Sequence, residues 1–361
     1  MRNSKLIKQF GLFVIASLFA INFNSCKDDE KDNKESNSSS TNYTCIILNQ
    51  GNYSEANGSI STIDEKGNIT NQMYKYVNAY SLASIIESGL IDRGKLILIC
   101  NNEDKIEVLN INDFKTLFTI KGIVTPRYGT IADGSLFVTS VPDWNKQEGY
   151  VYKINMSAAK IDTFIKLDGQ TEGIITQNGK VVVGEGSKVK VINPTTLAIE
   201  KVVKGPGALS AKHFIKDNNN NVWASFVGYD ASYNATGGIS QLNFSKDSID
   251  NYTQLSNFAG EGHLSTNPDK TEILYRTIVG AYTPNEKSGI SSYNIASKSE
   301  KEIISGDGFY GFNVDPKNGD IYTANINGWI TNSTLLIYDA QGNAKSTDQT
   351  VGVGACRFLF Q

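Results

Sequence analysis

The chain has 361 residues, 40% of them hydrophobic, with 32 Gly and a formal charge of −3. Residues 1–25 carry three cations and no acid, so without them the charge is −6, a surface that does not suit nucleic acid. A chain this long suggests two domains on length alone, but closed β repeats absorb such a length as one.

At the start, Arg2, Lys5 and Lys8 form a basic head before a mostly apolar run from Phe10 to Phe23. That run is about 14 residues, too short for a span of roughly 20. It ends in Phe23-Asn24-Ser25 before Cys26. Residues 1–25 thus read as a targeting segment that resembles a bacterial lipoprotein signal. The resemblance implies cleavage before Cys26 and lipid on its sulfur; an ordinary cleaved signal peptide or an uncleaved anchor are the alternatives. Residues 26–43 follow as a charged, Ser/Asn-rich stretch that cannot bury a core and is expected to be a flexible tether. Its Asp28, Asp29 and Glu30, just after Cys26, resemble the export signal of surface lipoproteins in the Bacteroidetes. Nothing later is long and apolar enough to cross a membrane as a helix.

From residue 44 to 361 one phrase recurs seven times, a short strand ending in Asn or Asp: Asp64, Asn110, Asn155, Asn193, Asn243, Asn294 and Asp339. The intervals are 46, 45, 38, 50, 51 and 45 residues, the signature of a repeat architecture. The terminal side chain can bond the backbone two residues on and close the turn after its strand. A second series runs in step, a turn residue before a strongly apolar strand: Gly94, Gly134, Gly179, Asn220, Asp269 and Gly319. Each unit therefore holds four strands: a before the turn, b the apolar strand, c the Asn/Asp-ended strand and d a more polar one. Helical periodicity is nearly absent, with Tyr80 to Leu90 the only ambiguous stretch.

Four antiparallel strands in 40–50 residues make the blade of a β-propeller, and the count is seven blades. Thr44 to Asn49 reads as a strand b with no strand a before it, and Ala355 to Phe360 as a strand a with no strand b after it. Pairing the two completes the first blade and removes the exposed edge.

The a–b and c–d turns share one face of such a ring, and the b–c loops and d–a crossings share the other. The first set is short and polar. Five of the b–c loops are longer and aromatic, carrying Tyr53, Trp144, Tyr229 with Tyr233, Tyr282 and Trp329. Aromatics in solvent-facing loops suit a recognition surface, unless each packs on a neighbouring loop. The d–a crossings bring Tyr80, Arg127, Tyr128, Glu172, Glu261, His263, Phe309, Tyr310 and Arg357 toward the pore mouth. A rim of that mixture fits a large polar ligand, or else inter-blade salt bridges; His263, standing alone, reads first as a structural residue.

The Asn/Asp-ended strands, the Asn-Gly-Lys and Asp-Gly-Ser turns and the blade length resemble the YVTN or YncE-type propellers. Together with the lipoprotein start, residues 44–361 resemble a Bacteroidetes group of surface propeller lipoproteins. That resemblance implies capture of cobalamin (vitamin B12) and delivery to a TonB-dependent outer-membrane transporter, with cobalamin as cargo rather than cofactor. A glycan or another nutrient in the same arrangement is the alternative, and a protein scaffold or a propeller lyase or hydrolase stands behind it. Against catalysis, the chain has two His on different blades and no nucleophile-elbow signature. No P-loop, calcium loop or zinc spacing is visible. Cys45, Cys100 and Cys356 sit in or beside apolar strands and read as buried free thiols.

Overall fold

The computed structural model describes residues 43–83, 85–230, 234–281, 283 and 285–361. The expected signal segment, Cys26 and the tether up to residue 42 lie outside the described residues, as do Tyr233 and Tyr282. The described chain is a seven-bladed β-propeller with four antiparallel strands in every blade. Blade 1 is closed by the C terminus: Ala355–Phe360 forms its inner strand against Tyr43–Asn49, with Cys45 opposite Phe360 and Ile47 opposite Phe358. The other inner strands are Ile86–Asp92, Pro126–Ala132, Thr171–Gln177, Ser210–Lys216, Leu264–Thr266 and Phe309–Val314.

The b strands read as unbroken apolar runs because both of their faces are covered. In Lys95–Cys100, Leu96, Leu98 and Cys100 pack toward blade 1, while Ile97 and Ile99 pack toward blade 3. The two-residue period of a strand sends successive side chains to opposite faces. Repeated around the ring, this makes seven hydrophobic clusters, one at each seam between neighbouring blades. The last, joining Tyr322, Ala324 and Leu335 of blade 7 to Cys45, Ile47 and Phe358 of blade 1, closes the circle. Cys45, Cys100 and Cys356 are buried and unpaired.

The turn chemistry follows the repeat. Arg93-Gly94, Asp133-Gly134 and Asn178-Gly179 all take positive φ at both positions, as two-residue hairpins that match strand twist require. All seven terminal Asn/Asp side chains accept backbone N–H groups of the c–d turn: Asp64 from Lys66 and Asn68, Asn110 from Asn112, Asn155 from Ser157, Asn193 from Thr195, Asn243 from Lys246, Asn294 from Ala296 and Asp339 from Gln341.

One connection departs from expectation. The single described α-helix is Met73–Asn78, before the ambiguous stretch rather than in it. Its Tyr74 is buried against blade 2, where the hydroxyl donates to Glu107 Oε1 at 3.0 Å. Asn78 ties the helix to the blade 2 turn through the Phe114 carbonyl and the Thr116 N–H. The amphipathic signal was too short, at under two turns, to stand out in the sequence.

Candidate functional site

Six of the seven inner strands carry a register shift just after they start. In each a bulge sets an extra residue or pair against one partner on strand b: Glu87, Arg127-Tyr128, Glu172-Gly173, Lys212-His213, Tyr310-Gly311 and Cys356. A bulge leaves one backbone group unpaired and re-aims its side chains. Strand b hydroxyls take up the slack. Thr139 accepts from the Tyr128 N–H at 3.1 Å and donates to the Glu172 carbonyl at 2.8 Å, so it stitches blade 3 to blade 4. Ser225 does the same with the His213 N–H and the Gly262 carbonyl.

The bulges point their side chains into a central funnel of about 320 Å³ whose walls include Gln50, Glu87, Arg127, Tyr128, Glu172, Lys212, Glu261, Arg276, Tyr310 and Arg357. Arg127 is its hub. It meets Glu87 at 2.8 Å and Glu172 at 3.0 Å, and Glu172 also holds Lys212 at 2.9 Å. Burial pushes the Glu172 carboxyl up, but Arg127 and Lys212 outweigh it and hold the group below the usual carboxylate range. On the opposite wall Arg276 pairs with Glu261 and donates to the Phe309 carbonyl at 2.6 Å.

Trp144 lies over this hub with its ring centre 5.1 Å from the Arg127 guanidinium, yet stays 48% exposed. Trp329 stacks edge-on against Tyr310 at 4.5 Å, and the Tyr310 hydroxyl donates to Gln50 at 2.8 Å. Tyr229 lines the same funnel and is 60% exposed. Deeper in, His213 and His263 face each other with ring centres 4.5 Å apart. Burial pushes His213 down to about 3, and burial together with Arg357 sends His263 well below its ordinary value, so both rings are neutral.

The structure therefore brings together Arg127, Tyr128, Trp144, Glu172, Tyr229, His263, Tyr310, Trp329 and Arg357 from the expected set. Three expectations are corrected. The Phe309 ring is 3% exposed and packs into the seam between blades 6 and 7; only its carbonyl faces the funnel. Tyr80 sits beside the short helix, edge-on to Tyr74, because the blade 1 crossing folds down the flank instead of over the mouth. His263 is not alone, since the ring brings His213 to it from the neighbouring blade. Tyr53 is exposed in its loop and is absent from the funnel walls.

Gln50, Glu87, Lys212, His213 and Arg276 went unrecognised. Glu87, Lys212 and His213 are bulge residues of inner strands, whereas Gln50 follows strand b of blade 1 and Arg276 lies on strand b of blade 6, whose inner strand carries no register shift. Alignment of the inner strands to one another, rather than of the c strands alone, would have found Glu87, Lys212 and His213.

The fold has many relatives of low identity. A protein from Bacteroides fragilis, assigned provisionally as a 6-phosphogluconolactonase, matches at 12% identity and TM-score 0.65, over 90% of this chain and 99% of that one. The periplasmic gluconolactonase of Pseudomonas aeruginosa matches at 12% identity and TM-score 0.60, over 87% and 98%. The Swd1 β-propeller domain of Myceliophteria thermophila matches at 11% identity and TM-score 0.55, over 82% and 96%. At such identities the likeness is one of fold alone. No curated protein matches the chain. A family model matches residues 43–351; its family is described as a domain of unknown function, DUF5074, and the chain belongs to that family.

Proposed function

We propose that this propeller is a surface lipoprotein, anchored through Cys26, that captures cobalamin or a related cobamide on its funnel face and hands it to a TonB-dependent outer-membrane transporter. The observation that carries the capture step is the Arg127 hub capped by an exposed Trp144, with the half-buried Tyr310–Trp329 pair and Tyr229 on the same mouth. Aromatic planes beside paired charges suit a ligand with a broad flat body and a periphery of amides. A molecule of that size exceeds the funnel itself, so the loops above it supply much of the contact. Cobalamin as the particular cargo, the lipid anchor, the cell-surface address and the transporter partner rest on the sequence resemblance. A glycan would use the same aromatic planes and is the second reading.

The lactonase names among the structural relatives raise the alternative of an enzyme. The reading here stays with capture, because the carboxylates Glu172 and Glu261 at the mouth are held in ion pairs with Arg127, Lys212 and Arg276. Gel filtration of the full-length chain after mixing with cyanocobalamin tests the proposal. Red colour should elute with the protein and diminish in Trp144→Ala. Colourless protein together with retention on a glycan column would move the assignment to the second reading, and turnover of a lactone would sink both.

A further inference from the structure

Below the charged mouth the channel continues into a space of about 190 Å³ bordered by Tyr128, His213, His263 and Arg357. Its polar groups are not matched as those above are. Arg127, Lys212 and Arg276 each hold a carboxylate. Among the described residues Arg357 has no carboxylate ion pair; its guanidinium donates to the Cys356 carbonyl at 2.9 Å and to the Tyr128 hydroxyl at 3.4 Å. His263 is 8% exposed, and neither of its ring nitrogens makes a hydrogen bond. The Phe312 backbone comes near enough to favour a protonated His263 slightly without reaching bonding geometry. His213 accepts the Leu264 N–H on Nδ1 at 3.3 Å, which leaves Nε2 as its N–H donor.

Buried polar groups are normally hydrogen-bonded, and a buried charge is normally paired. Here one cation and two neutral imidazoles border one space with donor capacity in excess of acceptors. We propose that this space binds a single oxyanionic group, a carboxylate or a phosphate, clasped by Arg357 with His263 and His213 as further donors. The guanidinium fork fits two oxygens of such a group, and a neutral imidazole donates one N–H to a remaining lone pair of a carboxylate or to a third oxygen of a phosphate. The space equals about six waters at roughly 30 Å³ each, enough for an anionic head and not for a whole large ligand. The inference holds for any cargo that bears such a head and does not rest on the cobalamin reading.

The chain has two histidines, so an untagged, nitrogen-15-labelled full-length sample shows two imidazole rings by NMR. Sodium phosphate and sodium acetate are titrated in separate arms at constant ionic strength. The expected result is a saturable shift of both rings with at least one anion, and the arm that saturates at lower concentration names the chemistry. Arg357→Gln should weaken that binding about tenfold or more, as loss of a charge-assisted bidentate contact does. Arg357→Lys, which keeps the charge and loses the fork, should also weaken it, and it serves if the Gln variant does not fold. His263→Asn should weaken it less. Rings that do not respond saturably to either anion, or an affinity that Arg357→Lys leaves unchanged, overturn the proposal.

Discussion

Two positions of this ring occur once per blade, and they are filled in opposite ways. At the end of strand c the residue is Asn or Asp seven times over, and each side chain closes the same turn. Around the start of strand a, which carries a bulge in six of the seven blades, the residues include Glu87, Arg127, Glu172, Lys212, His263, Tyr310 and Arg357, no neighbouring pair alike. The backbone problem at the first position is identical in each blade, so one solution repeats. At the second position the backbone is again nearly the same, but the side chains share a single central space. Unlike groups there can pair with or complement one another across blades, which like groups cannot.

The comparison can be broken experimentally. The largest effect is expected from Glu172→Gln, which leaves Arg127 and Lys212 short of a buried carboxylate; urea unfolding should show a loss of about 3 kcal/mol or more. Next comes Gly311→Ala. An added Cβ would lie 2.3 Å from the Cys356 carbonyl oxygen, backbone against backbone at the seam of blades 7 and 1, so a loss of about 1–3 kcal/mol is expected in the same assay. On the turn face, Asn155→Ala removes the acceptor for the Ser157 and Ala158 N–H groups and should cost about 1 kcal/mol without changing ligand binding. Smallest on stability is Trp144→Ala, where loss of an exposed cation–π contact costs about 0.5–1 kcal/mol while ligand affinity falls sharply.

Acid sharpens the contrast further. His213 and His263 titrate lower in the folded chain than the free value of about 6.5. The unfolded chain therefore takes up protons that the folded one does not, and stability should decline as pH falls from about 6.5 toward 3. Glu172 adds to the decline below its own unfolded value of about 4.3, because its folded carboxyl is held lower by Arg127 and Lys212. Thermal melts across this range should flatten between pH 6.5 and 4.5 in a His213→Gln, His263→Gln double variant, and an unchanged slope would place the acid sensitivity elsewhere.

How much of this was legible follows from the same contrast. The blade count, the four strands, the closure by Ala355–Phe360 and the turn role of Asp64 and its six counterparts were all readable, because each rests on a local pattern repeated in register. The mouth was readable in part: Arg127, Glu172 and Trp144 lie where loops and crossings must converge. What escaped needed the third dimension. Arg276 comes from strand b and reaches the funnel past its own inner strand, and no spacing announces that. The pairing of His213 with His263 depends on two neighbouring blades meeting at the channel, and the burial of Phe309 depends on which way the strand turns the residue just before a bulge.

In the proposed capture, the varied ring of inner-strand side chains and the aromatics above it, not the uniform turn face, hold the cargo. Calorimetric titration of the full-length chain with cyanocobalamin, run beside Trp144→Ala and Asn155→Ala, tests it most directly. Saturable binding that Trp144→Ala weakens by about tenfold, and that Asn155→Ala leaves intact, is the predicted result. Binding abolished by the turn-face variant alone, or no heat from any of the three proteins, would contradict it.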